Sequence, residues 1–400
     1  MINFEELAKK YSTPLYVYDF DHITEQYKKL KEAFRARKSL ICYAIKANSN
    51  LSVIKHLGEL GAGCDCVSVG EIQRAFVAGI SKYKIIFSGV GKRDDEIREA
   101  LVRDILMINL ESEGEFERIE KIAKELNKTA RISIRVNPNI DPKTHPYIST
   151  GLNENKFGVD IDTAKRLYLK AKNSQFTDPI GIHFHIGSQL TQLEPIKEAS
   201  AIVSDLVRNL KFLDIDIKFF DVGGGLGIRY KDEVLINPYD YAQAVFSTLS
   251  GLDMTVMCEP GRFLVGNSGY LLTKVLYEKE NHDKRFIIVD AGMNDLIRPS
   301  LYEAYHEIEI LNKNTQKSKA DVVGPVCESG DYFAKNRELP KTKHNDLLVI
   351  KSAGAYAFTM SSNYNTRPKP AEIALTQGKE RVIRRRESFE DLIECEKDYI

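Results

Sequence analysis

Short apolar, β-branched runs alternate regularly with longer amphipathic stretches through the first two thirds of the chain. The runs predict eight strands, at 39–47, 63–68, 83–90, 105–110, 130–137, 179–188, 216–224 and 253–260. Helices are predicted near 21–37, 50–60, 69–79, 93–101, 113–127, 160–173, 191–213 and 237–250. Eight β-α units over roughly 240 residues match a closed parallel barrel, whereas an open doubly wound sheet more often stops at about five to seven strands. The sequence therefore predicts an α/β fold with a (β/α)8 barrel of the TIM type.

The rhythm changes after residue 262. Segments such as "GYLLTKVLYEKE", "KRFIIVDAG" and "NDLLVIKSAGAYAF" are strand-like and separated by short turns, with few helical windows between them. We therefore expect a barrel domain over 20–262 and a mainly β domain over 263–400. The run "PLYVYDF" at 14–20 is placed to add a strand to the second domain, which would join residues 1–19 to it.

Charge and composition argue against several partners. Lys+Arg and Asp+Glu each total 57, so the net charge is zero and draws the protein neither to nucleic acid nor to an anionic membrane. The first residues contain acids and no apolar core run, which is unlike a signal or transit peptide, and no later run reaches transmembrane length. We expect a cytoplasmic protein with no nucleic-acid or membrane partner.

The six cysteines do not form a disulfide framework, and a reducing compartment would keep them as thiols. Cys64 and Cys66 form a C-x-C pair, but the sequence has no second such pair that could complete a metal site. Small buried residues on a strand are therefore the better interpretation, and we expect no metal site there.

Chemically useful side chains gather near the ends of the predicted barrel strands. In a TIM-type barrel the active site lies at the carboxyl ends of the strands, because the loops there build one face. The side chains and loops in question are Lys46, Asp65, Asn137, His183, His185, the glycines at 223–225, Glu259 and Arg262. Each has an ordinary structural explanation taken singly, and their convergence on one face favours a site.

One cofactor explains three of these features. Glycines after the seventh strand let backbone N–H groups approach a phosphate, as the last two barrel loops commonly do. A lysine amine forms a Schiff base with an aldehyde, and pyridoxal phosphate carries both the aldehyde and the phosphate. Its ring nitrogen withdraws electrons best when protonated, and Glu259 would hold that proton. We therefore predict pyridoxal 5'-phosphate as the cofactor.

The motifs then resemble a known family. They are "YAIKAN", "HFHIGSQ", "DVGGGLG", "CEPGRF", "CESGD" (327–331), "GAYAFTMSSNYN" (354–365) and "RPKPAE" (367–372), and they closely resemble diaminopimelate decarboxylases over nearly the whole chain. "HIGSQ" and "EPGR" are shared with ornithine and arginine decarboxylases, whereas "MSSNYN" and "RPKPAE" are more particular to the diaminopimelate branch. The resemblance implies the alanine-racemase-like arrangement of barrel and β domain. It also implies decarboxylation of meso-2,6-diaminopimelate to L-lysine, the last step of lysine synthesis.

The resemblance also implies roles for residues in the barrel. Lys46 should carry the cofactor as a Schiff base, beside Asp65, and His185 should stack on the cofactor ring. Glu259 should face the ring nitrogen. The phosphate should be held by a further set of residues: Ser188, Gly224, Gly225, Gly261 and Arg262.

A second set of roles concerns the substrate. Arg262, Arg298, Tyr302 and Tyr356 match family positions that bind the substrate, and Tyr356 also touches the cofactor. In the family, the cysteine and glutamate of "CESGD" serve the other subunit's site. The resemblance thus implies a homodimer in which Cys327 donates a proton and Glu328 contacts the distal amine of the substrate.

Other interpretations stay open. Ornithine, arginine or carboxynorspermidine is the alternative substrate within the decarboxylases. The H-x-H of His183 and His185 is also typical of metal-dependent barrel hydrolases, with Asp65 or Glu259 as a third ligand, but that leaves Lys46 and the glycines unexplained. A non-catalytic cofactor-binding relative is the third alternative. The polar stretch 137–158 is long enough for a lid and equally typical of an ordinary surface loop.

Overall fold

The computed structural model describes residues 2–141, 150, 156–282 and 284–400. Most of the polar stretch 137–158, which is typical of a lid and equally of an ordinary surface loop, lies outside the described residues. The helices are α1 Phe4–Tyr11, α2 Phe20–Ala33, α3 Leu51–Glu59, α4 Val69–Val77, α5 Asp94–Arg103, α6 Glu113–Glu125, α7 Ile161–Asn173, α8 Glu194–Phe212, α9 Pro238–Thr248, α10 Arg262–Val265, α11 Arg298–Tyr302 and α12 Phe389–Ile393.

The strands fall into two groups. The first strand and those after residue 268 are β1 Leu15–Asp19, β10 Gly269–Asn281, β11 Lys284–Val289, β12 Ile308–Leu311, β13 Lys317–Val323, β14 Tyr332–Pro340, β15 Leu347–Ile350, β16 Ala371–Thr376 and β17 Lys379–Arg384. Those between are β2 Ser39–Ala44, β3 Gly63–Cys66, β4 Ile85–Phe87, β5 Met107–Leu110, β6 Ala130–Arg135, β7 Thr177–His183, β8 Phe219–Asp221 and β9 Thr255–Cys258.

The second group closes into a parallel barrel. Strands β2 to β9 pair in chain order, and β9 returns to pair with β2. Each predicted strand is present, and helices occupy the intervals in which they were predicted. Short strands such as β4 are buried along their whole length, which is why they read as continuous apolar runs rather than as alternating ones. The predicted TIM-type barrel is confirmed.

Several barrel strands are shorter than their apolar runs. The first run was predicted to reach residue 47, but β2 ends at Ala44 and Lys46 lies in a following 3₁₀ turn. The predicted strand 179–188 ends at His183, so His185 lies in a loop. Both neighbouring strands end at this level: His183 pairs with Arg135, the last residue of β6, and with Asp221, the last residue of β8.

The chain divides into two compact units over its described residues. The barrel unit comprises Thr24–Ile228 and Val234–Phe263, and the β unit comprises the residues up to Ile23, Arg229–Glu233 and Leu264–Ile400. The domain boundary at 262/263 stays a prediction.

In the β unit, a mixed sheet has the strand order β14-β13-β11-β10-β1-β16-β17, and β15 pairs with both β10 and β12. The strand predicted at 14–20 is present as β1. It pairs antiparallel with β10 and parallel with β16. Its Leu15 and Val17 are fully buried and pack with Leu272, Val349 and Ile373. The mainly β character of this part of the chain is confirmed.

Within the described residues, no helix combines the length and the apolarity needed to cross a lipid bilayer.

Candidate active site

The carboxyl ends of the barrel strands carry the predicted lysine and a buried aspartate that pairs with it. Lys46 follows β2, and its Nζ lies 2.8 Å from Oδ2 of Asp65 on β3. The Asp65 side chain is fully buried, whereas the Lys46 side chain is 38% exposed, so a ligand can reach the amine. Burial and the nearby charge of Glu259 raise the pKa of Asp65, and Lys46 opposes that shift. The lysine is thus held by a carboxyl that water does not reach.

The glycine loop after β8 lies against His185 and the exit of β9. The backbone N–H of Gly224 donates to Nδ1 of His185 at 3.2 Å. A Cβ atom on Gly224 would stand 2.3 Å from the carbonyl oxygen of Glu259, and Gly225 has a φ of 119°. Only glycine therefore fits these two positions without moving the main chain. The loop brings backbone N–H groups to the barrel mouth, as anion binding requires.

His185 is a neutral imidazole in this setting. Burial lowers the pKa of His185 well below its ordinary value, and the charges of Arg135 and Lys46 lower it further. Because Nδ1 accepts from Gly224, the ring proton is on Nε2. A neutral ring suits stacking against another aromatic ring better than it suits pairing with an anion.

Glu259 lies just beyond β9 and is buried. Its Oε2 lies 3.3 Å from Nε2 of His183, the last residue of β7. Its Oε1 is buried and has no hydrogen-bond donor among the described residues. Burial alone would raise the pKa of Glu259, but His183 and Lys46 together bring it well below its ordinary value. The carboxylate is therefore ionised and has an oxygen left to accept from a ligand.

The metal alternative required His183 and His185 in one site. His183 instead clusters with Asp221 and Glu259, whose ligand atoms lie within 4.8 Å of one another, and His185 is not part of that group within the described residues. The two imidazoles of the H-x-H motif therefore serve different contacts.

Arg262 and Ser188 meet at the same end of the barrel. The guanidinium donates to Ser188 Oγ from Nη2 at 3.0 Å and from Nε at 3.3 Å. Arg262 is buried and begins α10, and Gly261, which precedes it, is buried as well. This brings a hydroxyl and a fixed cation together on the barrel unit.

The remaining predicted residues lie in the β unit. Arg298 begins α11, with its guanidinium 4.6 Å from the centroid of the Tyr230 ring and Nη1 2.9 Å from Nε2 of His306. Nδ1 of His306 donates to the carbonyl of Lys351 at 2.8 Å, and Nε2 therefore accepts from the arginine. Tyr302, the last residue of α11, is partly buried.

The "CESGD" loop presents its reactive residues outward. Cys327 and Glu328 are both exposed, and the backbone N–H of Cys327 donates to Oδ1 of Asn365 at 2.8 Å. Asp331 ends the loop and is buried, where it accepts the N–H of Val326 at 2.7 Å. Tyr356, also in this unit, is partly buried and has a φ of 54°.

Sequence reasoning missed several residues that shape these groups. Asp221 was quoted inside "DVGGGLG" without a role, and His306 and Asn365 were not singled out. Arg135 was missed as well, although a charge at the end of the apolar run "ARISIRV" was a usable signal. Its Nη1 lies 3.0 Å from Oε1 of Glu111, and its buried Nη2 has no partner in the part of the chain that the structure describes.

The residues of the barrel mouth fit pyridoxal phosphate. Lys46 supplies a reachable amine, and Glu259 supplies an ionised, buried carboxylate with an unfilled acceptor position suited to a protonated ring nitrogen. The glycine loop lets the main chain approach a ligand without a Cβ in the way, and Ser188 and Arg262 lie together as hydroxyl and cation donors. Neither charge nor spacing argues against the cofactor.

Comparisons with known proteins agree with this chemistry. The family model for the pyridoxal-binding domain of pyridoxal-dependent decarboxylases matches residues 20–266. The diaminopimelate decarboxylase of Campylobacter jejuni subsp. jejuni is 60% identical over 400 residues, 100% of both chains. That of Helicobacter pylori is 57% identical over 394 residues, 98% of this chain and 97% of the relative. A crystal structure of the Helicobacter pylori enzyme complexed with L-lysine has a TM-score of 0.97 at 55% identity and covers 100% of each chain. The chain therefore belongs to the pyridoxal-dependent decarboxylase family, in its diaminopimelate decarboxylase branch.

Proposed function

We propose that this chain is a pyridoxal phosphate-dependent carboxy-lyase that converts meso-2,6-diaminopimelate to L-lysine and carbon dioxide, the last step of lysine biosynthesis. The observation that carries the proposal is the reachable Lys46 amine, 2.8 Å from the buried Asp65, at the mouth of a barrel that also carries an ionised, buried Glu259. The full-length relatives named above support the choice of substrate.

Bound pyridoxal phosphate supplies an aldehyde that bonds reversibly to amines and a ring that accepts the electron pair left when carbon dioxide departs. Lys46 holds the cofactor through its Nζ, and Asp65 orients that nitrogen. Glu259 would accept a hydrogen bond from a protonated ring nitrogen. The neutral ring of His185 would pack against the cofactor ring.

The phosphate is assigned to the opposite group of donors. Backbone N–H groups around Gly224 and Gly225 approach closely because neither residue has a Cβ, and the buried Gly261 continues this lining. Ser188 and Arg262 add a hydroxyl and a cation that already contact each other. A phosphate bound there accepts charge-assisted hydrogen bonds.

The substrate has two carboxylates and two amines, so its site must provide cations for the carboxylates and acceptors for the amines. We assign Arg298 to the distal carboxylate, because its planar guanidinium is buried and is held against the ring of Tyr230. Arg262, Tyr302 and Tyr356 complete the substrate contacts, and Tyr356 also contacts the cofactor. Glu328 pairs with the distal amine.

Cys327 is assigned as the donor that returns a proton to the α-carbon after carbon dioxide has left. It is exposed within its own chain, beside the equally exposed Glu328. We propose a homodimer in which these two residues of one subunit serve the site of the other. Asn365 orients the loop by accepting the backbone N–H of Cys327.

We also assign the protein to the cytoplasm, where its amino-acid substrate and a reducing environment for Cys327 are both expected. All six cysteines are free thiols in the structure.

The test is lysine formation by the purified protein with pyridoxal phosphate, using meso-diaminopimelate beside ornithine and arginine. We expect rapid lysine formation and little turnover of the other two. Lys46→Ala should abolish turnover and the visible absorption of covalently held cofactor. Lys55→Ala, at an exposed position on α3, is the matched control and should behave as the parent protein. If cofactor binds but no lysine forms, the substrate assignment is wrong, and carboxynorspermidine becomes the next substrate to assay.

A further inference from the structure

Three buried polar side chains meet beneath the mouth of the barrel. His183 ends β7, Asp221 ends β8 and Glu259 follows β9, so three adjacent strands deliver them to one place. All three are buried, and their ligand-type atoms lie within 4.8 Å of one another. The proposed function uses only Glu259, so the purpose of a second carboxyl group beside it needs an explanation.

The hydrogen bonds account for one oxygen of each carboxyl group. Oδ1 of Asp221 accepts the backbone N–H of Gly223 at 3.0 Å, and Oε2 of Glu259 pairs with Nε2 of His183 at 3.3 Å. Oδ2 of Asp221 and Oε1 of Glu259 are both buried without a donor among the described residues. Two ionised carboxylates side by side in a dry interior would repel strongly, so one of them carries a proton.

The surroundings decide which carboxyl group is neutral. Burial, followed by the charge of Glu259, raises the pKa of Asp221 well above its ordinary value. For Glu259, the charges of His183 and Lys46 outweigh burial and lower the pKa. Asp65 also faces the pair and adds to the shift on Asp221.

The other titratable groups nearby do not supply a competing charge. Burial raises the pKa values of Cys42, Cys258 and Tyr241 well above their ordinary values, so all three remain neutral. His185 is neutral as described above. The proton shared by the two carboxyl groups therefore belongs on Asp221.

We propose that Asp221 is a positioning residue that, as a neutral carboxyl group, donates a hydrogen bond to Glu259 and together with His183 fixes that carboxylate in its ionised form. The inference rests on the proposed contact between Glu259 and the ring nitrogen of the cofactor. A neutral donor stabilises an anion without adding a second negative charge, and a carboxylate oxygen can accept from Asp221 and from a ligand at once. The ring nitrogen keeps its proton only while Glu259 stays ionised.

The decisive comparison is between Asp221→Asn and Asp221→Ala. An asparagine keeps both contacts, since its oxygen can accept from Gly223 and its amide N–H can donate to Glu259. Alanine removes both. Without the donor, ionised Glu259 is less stable, and the proton moves from the ring nitrogen to the carboxylate. If Asp221 were needed as an anion, the asparagine variant would fail as badly as alanine.

The experiment uses holoenzyme reconstituted with pyridoxal phosphate labelled with ¹⁵N in the ring, because the ¹⁵N chemical shift reports whether that nitrogen is protonated. Parent protein and Asp221→Asn should give the same protonated signal and turnover within a few-fold of each other. Asp221→Ala should shift the signal towards the unprotonated form and lower kcat by about 10–100-fold, the effect of losing one hydrogen bond to a charged group. A purely structural role would change stability and leave the ¹⁵N signal in place.

Glu259→Gln separates this inference from the proposed function. If the glutamine variant leaves the ring nitrogen protonated, the assignment of Glu259 to the ring is wrong. If Glu259→Gln shifts the signal but Asp221→Ala does not, the inference about Asp221 is overturned alone. If Asp221→Ala fails to fold or to hold cofactor, Asp221→Asn still decides, because a shifted signal or lost turnover in that variant contradicts a neutral donor.

Discussion

Replacing Arg298 by alanine should damage substrate recognition far more than cofactor binding. The guanidinium is buried, lies 4.6 Å from the centroid of the Tyr230 ring, and donates to Nε2 of His306 at 2.9 Å. The imidazole is itself fixed by the Lys351 carbonyl at 2.8 Å. Because the arginine is held before substrate arrives, little of the binding free energy is lost in ordering it.

The size of the effect follows from what alanine leaves behind. A distal carboxylate that loses its cation inside a desolvated site costs about 3–5 kcal/mol. Each 1.36 kcal/mol is a factor of ten, so kcat/KM for meso-diaminopimelate should fall by roughly 10²–10⁴-fold. A substrate that lacks the distal carboxylate has no such interaction to lose, and its slow turnover should change only a few-fold.

The assay compares kcat/KM for meso-diaminopimelate and for ornithine, which lacks the distal carboxylate, together with the Kd for pyridoxal phosphate. Arg298→Lys should recover part of the loss, because an ammonium keeps the charge but not the planar pair of donors. Arg285→Met is the matched control: it removes another buried arginine of the β unit, paired with Glu278 at 3.0 Å. That control should lower the melting temperature and leave substrate preference unchanged.

Two results would refute the reasoning. Loss of cofactor affinity in parallel with kcat/KM would mean that Arg298 supports the site generally rather than the distal carboxylate. An equal fall in kcat/KM for both substrates, with the cofactor still bound, would mean that the arginine does not bind the distal carboxylate.

Other variants probe the barrel unit. The side chain of Lys92 is buried and donates to two backbone carbonyls and to Glu115, all at 2.7 Å. Lys92→Met should lower the free energy of unfolding, measured in urea, by about 3–5 kcal/mol, because it leaves the Glu115 carboxylate buried without its cation. Adding Glu115→Gln should recover part of that loss. Gly224→Ala forces a Cβ to 2.3 Å from a backbone carbonyl and should weaken cofactor binding by about 5–150-fold, whereas Gly114→Ala, with nothing within 4 Å, should not. Burial raises the pKa of Glu71 from 4.5 to about 7, so the folded state binds the Glu71 proton more tightly than the unfolded state does. The free energy of unfolding should therefore fall as the pH rises from 4.5 to about 7. Glu71→Gln should make the free energy of unfolding less dependent on pH in that range.

The barrel could be predicted because short stretches of sequence determine its strands and helices. Each strand is a short apolar run, each helix carries an amphipathic pattern, and eight repeats of that unit leave few topologies. The ends of the strands were less predictable. An apolar run such as 179–188 continues beyond His183, but the strand stops there because its neighbours β6 and β8 end at Arg135 and Asp221, the residues that pair with His183. A strand's length depends on its partners as well as on its own residues.

The site was predictable where a residue type alone implies chemistry, as with Lys46 and the glycines. It was not predictable where the role depends on a neighbour distant in sequence. His306 shows this limit, because nothing in "AYHEI" indicates that one ring nitrogen will contact Lys351 and the other Arg298. The role proposed for Asp221 shows it as well, since an aspartate close to a glycine run is typical of a turn.

The charges of the barrel mouth constrain how the cofactor is oriented. Its floor holds three buried carboxyl groups, Asp65, Asp221 and Glu259, with Lys46 in contact with the first of them. Of these, Glu259 is ionised, and its negative charge repels a phosphate dianion and attracts a protonated ring nitrogen. We therefore expect a bound phosphate to lie towards the glycine loop and Arg262, and the ring nitrogen to lie towards Glu259. The reverse orientation would place the phosphate against the carboxylate of Glu259 and away from the guanidinium of Arg262, so the charges favour one of the two orientations.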